Sequence, residues 1–189
     1  ALSCSLPGFT VIVPADAVET SQVIRAAADI PGPFYVRLSR PKVPQVVGDD
    51  YRFVLGKAVT LRQGSDATIL AIGMMVSRAL EAAVALSQQG IDCRVLNMST
   101  IKPLDVEAIV QAAAETGAIV TAEEHLEHGG FGSRVARVVA ERQPVPMAFV
   151  AIKDVFASSG TSEELLQRHG LTSGAIEKAV KSVARMKKR

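Results

Sequence analysis

Short runs of aliphatic and β-branched residues alternate along this chain with longer stretches in which apolar residues recur every three or four positions. Residues 9–13 are the first such run, closed by Pro14. Asp16 then offers an N-cap that Glu19 completes as a capping box, and Val23, Ile24, Ala27 and Ala28 form a helical apolar face ended by Pro31-Gly-Pro33. Residues 34–38 read as a second strand. Residues 9–38 therefore predict one β-α-β unit, too small to bury both faces of its own sheet, so it must lean on another part of the molecule.

Between residues 39 and 51 the pattern gives way to prolines, Gly48 and Asp49-Asp50, the best domain boundary in the chain. A regular alternation follows. Strands are expected at 53–61, 68–72, 94–98, 118–122 and 147–152, with a turn at 63–65. A helix over 76–89 should bury Leu80, Ala83, Val84 and Leu86 and stop at Gly90. Further helices run from the cap Asp105 to Gly117, over 133–141, after the capping box Thr161/Glu164, and after Thr172, the last burying Ile176, Ala179, Val180 and Val183. Several strands are nearly continuous apolar runs, as when helices cover both faces of a parallel sheet. The fold class is α/β, doubly wound.

Composition narrows the partners. Hydrophobic residues make up 48% and aromatic ones 4%, so a large core is available, built mainly of Ala, Val, Ile and Leu. The formal charge of +2 is scattered, which argues against nucleic acid, and the cluster Arg185-Met-Lys-Lys-Arg189 reads as a solvated helix end. Cys4 and Cys93 form no metal or redox motif and fit a reducing cytoplasm. No run reaches the roughly 18 apolar residues of a membrane helix, and no signal peptide is visible. The chain opens without methionine, and residues 1–6 read as the tail of an interrupted helix, so a section of a longer polypeptide is expected.

The chemistry-bearing residues gather at strand ends. Residues 118–122 lead into Glu123, Glu124, His125, His128 and the glycines 129, 130 and 132. The two histidines fall in a loop with no metal-ligand spacing, so they read as polar groups satisfying the junction or meeting another surface, and no metal is assigned. The glycines suggest a phosphate cradle at a helix N-terminus, yet they spell neither G-x-G-x-x-G nor a P-loop, and a tight turn explains them better. Cys93 reads as a small buried hydrophobe, and no G-x-S-x-G elbow is present. Arg37, Arg40 and Lys42 form either an anion site at the end of a strand or a solvated basic hinge; their pattern does not choose.

Several stretches together resemble the C-terminal part of transketolase-type, thiamine-diphosphate-dependent enzymes. They are Pro7-Gly-Phe-Thr-Val-Ile-Val-Pro-Ala-Asp16, Tyr35-Val-Arg-Leu-Ser-Arg-Pro41, Val95-Leu-Asn-Met-Ser-Thr-Ile-Lys-Pro-Leu-Asp105, Glu123-Glu-His125 with Gly129-Gly-Phe-Gly132, and Phe156 with Gly160, Glu164-Leu-Leu166 and Gly170-Leu-Thr172. The resemblance implies that residues 1–45 are the remnant of a pyrimidine-binding domain plus the start of a linker. Residues 46–189 are then a transketolase C-terminal domain, a three-layer α/β/α unit with a mostly parallel five-stranded sheet, its antiparallel strand placed at 53–61.

For function, the resemblance implies transfer of a two-carbon ketol unit between sugar phosphates in the pentose phosphate pathway, performed by the complete enzyme with thiamine diphosphate and Mg²⁺. The family's Gly-Asp-Gly and paired asparagines are absent, since Gly48 precedes Asp49-Asp50 and Asn97 is the only asparagine. No catalytic, cofactor-binding or metal residue is therefore assigned here, and the chain alone should be inactive. Arg40 is the one residue carried over, as the grip on the substrate phosphate, a task that suits a guanidinium fork. The implied partners are an N-terminal transketolase section or subunit and a second copy in a homodimer, without nucleic acid or membrane. The alternatives are the β subunit of a 2-oxo acid dehydrogenase, deoxyxylulose-phosphate synthase, or a partner-docking module.

Overall fold

Strands that are apolar on both sides need helices on both sides, and the second part of the chain supplies them. The computed structural model describes residues 1–187, so Lys188 and Arg189 of the basic C-terminal cluster lie outside the described residues. Its main sheet has five strands: β3 (Val59–Arg62), β4 (Ala67–Ala71), β5 (Cys93–Asn97), β7 (Ile119–Leu126) and β8 (Met147–Ile152). They lie in the order β3-β5-β4-β7-β8, parallel except for β3, which runs antiparallel against β5. The central β4 is buried at every position. Ile69, Val95 and Val120 pack with Leu86, Ile176 and Val180 of helices α3 (Met75–Ser87) and α7 (Ser173–Lys187), where α6 (Ser162–Arg168) adds Leu166. Leu70, Leu96 and Ile119 face the opposite way, onto α4 (Val106–Thr116) and α5 (Phe131–Arg142).

The β-α-β unit forms as the pattern predicts. β1 (Thr10–Ile12), α2 (Ala17–Asp29) and β2 (Phe34–Val36) follow the short helix α1 (Leu2–Ser5), and β2 lies parallel to β1. The support this unit requires comes from β6 (Thr100–Lys102), a strand the hydrophobic pattern did not reveal, which pairs antiparallel with β1 and makes the sheet β2-β1-β6. A strand of three residues, with a single apolar one at Ile101, carries too little periodicity to be read. Val11 and Val13 then join the core beneath α4 and α5, so the two sheets share one apolar cluster.

Five expectations are corrected. The antiparallel strand is Val59–Arg62 rather than 53–61, because Lys57 N–H turns back to Val54 C=O and Gly56 adopts a left-handed φ of 76°. β7 continues to Leu126, so His125 ends a strand instead of sitting in a loop, and α5 starts at Phe131, two residues early. Val84 is 51% exposed, since Ala79, Ala82, Ala83 and Leu86 define the inner face of a helix that is apolar on several sides. On α2 only Val23 of the expected face is fully buried, and Ile24 is 49% exposed, because three strands are too few to cover the helix.

Buried carboxylates tie the two parts together. Asp16 accepts from Glu19 N–H (2.9 Å) as a helix cap, while its other oxygen accepts from Val46 (2.7 Å) and Val47 (3.0 Å) N–H. The capping box is only half formed, because the Glu19 carboxylate turns inward to Ala15 N–H (2.7 Å), the Tyr51 hydroxyl (2.5 Å) and Asn97 Nδ2 (3.0 Å). Asp105 has the same double use, capping α4 through Ala108 N–H (3.2 Å) and holding Ala58 N–H (2.9 Å) at the entry to β3. Replacing Asp16 by Ala leaves three N–H groups without acceptors, and urea unfolding is expected to show a loss of about 2–4 kcal/mol. A loss under about 0.5 kcal/mol, the scale of an ordinary surface change, would mean that the linker is held by other contacts.

Candidate functional site

The chemistry-bearing residues do collect at the carboxyl ends of parallel strands, where open α/β sheets place their sites, but in two separate places. At the first, β7 delivers Glu123 to the N-terminus of α5. Its two carboxylate oxygens each accept one backbone N–H, from Gly132 and from Phe131, both at 2.7 Å, and the side chain is buried. The carboxylate takes the place that an anion would take at this helix end, since unpaired N–H groups and the helix dipole both favour negative charge there. A side-chain carbon at Gly130 would collide with Glu123 Oε2, and one at Gly132 would come within 2.6 Å of Thr121 Oγ1. Close helix-strand packing thus requires these glycines. A cofactor diphosphate does not fit here, because the N–H groups are taken and the resident charge would repel it.

The remaining polar residues of this junction point elsewhere. Glu124 pairs with Arg37 at 2.9 Å, both partly exposed, a bridge between the first β-α-β unit and the main sheet that contributes at most about 1 kcal/mol. His125 Nδ1 lies 2.9 Å from Leu126 C=O. Among the described residues no three His, Cys, Asp or Glu side chains converge as a metal requires. A cavity of about 530 Å³ opens between the junction and the sheet β2-β1-β6, lined by Val11, Val13, Tyr35, Ile101, Phe131 and Arg37 among others.

The second place is the end of β2. Arg37 N–H still bonds to Ile12 C=O, after which the chain leaves the sheet, and Asp16 recaptures it at Val46 and Val47. The intervening loop carries Arg40 and Lys42. Arg40 is exposed and makes no ion pair among the described residues, and Lys42 is exposed as well. Beside it lies a cleft of about 520 Å³ between this loop and the N-terminus of α2, lined by Pro14, Thr20, Leu38, Ser39 and Lys42. The three cations of the boundary are therefore divided: Arg37 is taken by Glu124, Lys42 lines the cleft, and Arg40 faces solvent.

What the residue pattern missed is the second employment of Asp16 and Glu19. Each looked like a helix cap, and a capping pattern says nothing of partners 30 or more residues away. Tyr51 is raised above the usual phenol range by burial first and then by the charge and hydrogen bond of Glu19, so it stays a donor.

Burial pushes the Glu123 carboxyl up from its ordinary 4.5, opposed by the two N–H groups that bind it. The folded chain then keeps this proton to a higher pH than the unfolded chain, so the stability that Glu123 contributes falls as pH rises above about 4.5. Glu123→Gln cannot ionise and lacks that fall. Urea midpoints compared between about pH 4 and pH 7 should show the parent losing ground to the variant as pH rises; parallel curves would show that this carboxyl titrates alike in both states.

The family model for the transketolase C-terminal domain matches residues 56–176. A subunit of the apulose-4-phosphate transketolase of Phocaeicola vulgatus is 45% identical over 173 residues, 91% of this chain and 55% of that protein. The 6-deoxy-6-sulfo-D-fructose transketolase subunit SqwH of a Clostridium species is 40% identical over 183 residues, 97% of this chain and 57% of that protein. A solved structure described as a split gene transketolase, inactive β4 tetramer, superposes with a TM-score of 0.95 at 45% identity, covering 98% of this chain and 61% of that one. The chain thus spans little more than half the length of these relatives. The chain belongs to the transketolase family and carries its C-terminal domain.

Proposed function

We propose that this chain is the C-terminal section of a thiamine-diphosphate-dependent transketolase, which in its complete form moves a two-carbon ketol unit from a ketose phosphate to an aldose phosphate. The observation that supports this reading most is the 45% identity, over 91% of the chain, to one subunit of an apulose-4-phosphate transketolase. Residues 1–45 belong in this reading to the domain that receives the cofactor's pyrimidine, and residues 46–189 form the domain that supports assembly. When bound in the complete enzyme, thiamine diphosphate would supply the carbanion chemistry that ketol transfer needs. Its diphosphate, its Mg²⁺ and the groups that activate it come from a section outside this chain, consistent with Glu123 filling the glycine-rich helix end. Alone the chain is inactive; it works in the cytoplasm as part of a homodimer that includes the N-terminal section or subunit.

Arg40 is the substrate residue of this reading. Its side chain is exposed beyond the end of β2, beside the cleft that Ser39 and Lys42 line. The relatives' names carry a phosphate in one case and a sulfo group in the other, and both are anions a guanidinium fork can hold by two hydrogen bonds. In the complete enzyme, Arg40→Lys keeps the charge and loses the fork, so KM for phosphorylated sugars is expected to rise about tenfold with kcat nearly constant. An unchanged KM removes the assignment.

The reading as a whole is tested with xylulose 5-phosphate, ribose 5-phosphate, thiamine diphosphate and Mg²⁺, supplied to this chain alone and to the chain with the missing section restored. Sedoheptulose 7-phosphate is expected in the restored sample only. Product from the chain alone would refute the division of labour, and turnover of pyruvate in place of the sugars would move the chain to the synthase or dehydrogenase branch.

A further inference from the structure

Arg40 can hold a substrate anion only if its loop presents it in one place, and few contacts do so. Residues 38–45 belong to no helix or strand, and among the described residues none of their backbone groups bonds to the rest of the chain. The Gln45 side chain reaches only Val47 C=O and Asp49 close by. Between the loop and α2 lies the 520 Å³ cleft instead of packed side chains. The loop is therefore placed by its two ends.

The upstream end is Arg37, whose N–H bonds to Ile12 C=O and whose side chain pairs with Glu124. The downstream end is held by Asp16. One oxygen of this buried carboxylate caps α2 through Glu19 N–H, while the other accepts from both Val46 (2.7 Å) and Val47 (3.0 Å) N–H. Val47 is also buried and Val46 packs against the core, but apolar contact has no direction. Two N–H groups meeting one oxygen fix how the chain leaves that point. The next hydrogen bonds to the body are those of Tyr51 and Phe53 with α2. Without the second Asp16 oxygen, the loosely held stretch would run over residues 38–50.

We propose that Asp16 is a positioning residue for substrate binding: its second oxygen holds the loop so that the Arg40 guanidinium is already placed to receive the phosphate of the sugar. This rests on the reading of Arg40 as the substrate residue. Ordering a loop at the moment of binding takes free energy away from binding, and a grip of two parallel hydrogen bonds requires the guanidinium in one orientation. Asp16 stands at the junction of β1 and α2, so it ties the loop to the most rigid part of the first β-α-β unit.

Asp16→Asn separates the two uses of this carboxylate. Asparagine caps a helix as well as aspartate does, but its amide nitrogen cannot accept from Val46 and Val47. In the complete enzyme the variant is expected to raise KM for xylulose 5-phosphate and ribose 5-phosphate about three- to tenfold, with kcat within about twofold of the parent. Erythrulose formation from hydroxypyruvate and glycolaldehyde, which carry no phosphate, should change less than about twofold. Amide exchange at Val46 and Val47 should be slow in the parent and fast in the variant. In an Arg40→Ala background, where the grip is gone, Asp16→Asn should raise KM no further. Asp16→Ser keeps a cap and has no second oxygen; it should act the same way and serves if the amide disturbs folding. An unchanged KM in Asp16→Asn, or amides that stay slow, with Arg40→Ala still raising KM, would overturn the positioning role and leave Arg40 in place. An equal rise in the Arg40→Ala background, or an equal loss with the phosphate-free pair, would also overturn it, because Asp16 would then support the fold at large. Arg40→Ala without effect on KM would remove Arg40 from the substrate site and this inference with it.

Discussion

A carboxylate removed from water has to find its hydrogen bonds inside the protein, and the structure depends on how Glu19 does so. It is fully buried, and desolvating it costs several kcal/mol unless its oxygens are satisfied. The partners it finds come from three separate stretches: Ala15 ahead of α2, Tyr51 in the linker and Asn97 at the end of β5. Charged hydrogen bonds of this kind contribute about 1.5–3 kcal/mol each, so the network roughly offsets its own burial. Its consequence is geometric. The first β-α-β unit, the linker and the main sheet have one relative placement in which that carboxylate is satisfied.

The same arrangement recurs at other helix starts. Asp16, Asp105 and Glu123 each serve a helix N-terminus, and the first two direct their second oxygen to a distant backbone segment. Acidic residues at these positions turn the helix dipoles inward, onto the protein's own charges. The carboxyl end of β7 is thereby closed to an anionic ligand. The end of β2 is different, since its cation-bearing loop is pinned at its two ends and the exposed Arg40 lies between them. Closure at one strand end and exposure at the other follow from where the acidic residues stand.

Residue patterns alone determined a good deal. The doubly wound second part was legible because strands buried on both faces are continuous apolar runs and because amphipathic helices such as α7 advertise their inner face. Caps were legible too: Asp105 with Gly117, and Thr161 with Glu164, act within four residues or at the end of one helix, and such local hydrogen bonds are written in adjacent letters. The ordered family motifs carried the kinship, and Arg40 was singled out through those motifs rather than through any local pattern.

Only the tertiary structure decided the rest, and the reason is the same in each case. β6 is three residues long and exists because β1 lies beside it. Val84 lies on the outside because the sheet meets the alanine side of its helix. Glu123 became a cap because β7 ran on to Leu126 and carried the carboxylate against Phe131 and Gly132. Glu19 reads in sequence as half of a capping box and became the tie between the first β-α-β unit and the main sheet, because Asn97, 78 positions away, had come within 3.0 Å. Local hydrogen bonding and periodicity are properties of neighbouring residues. Which buried carboxylate meets which distant donor is settled by the packing of the whole chain.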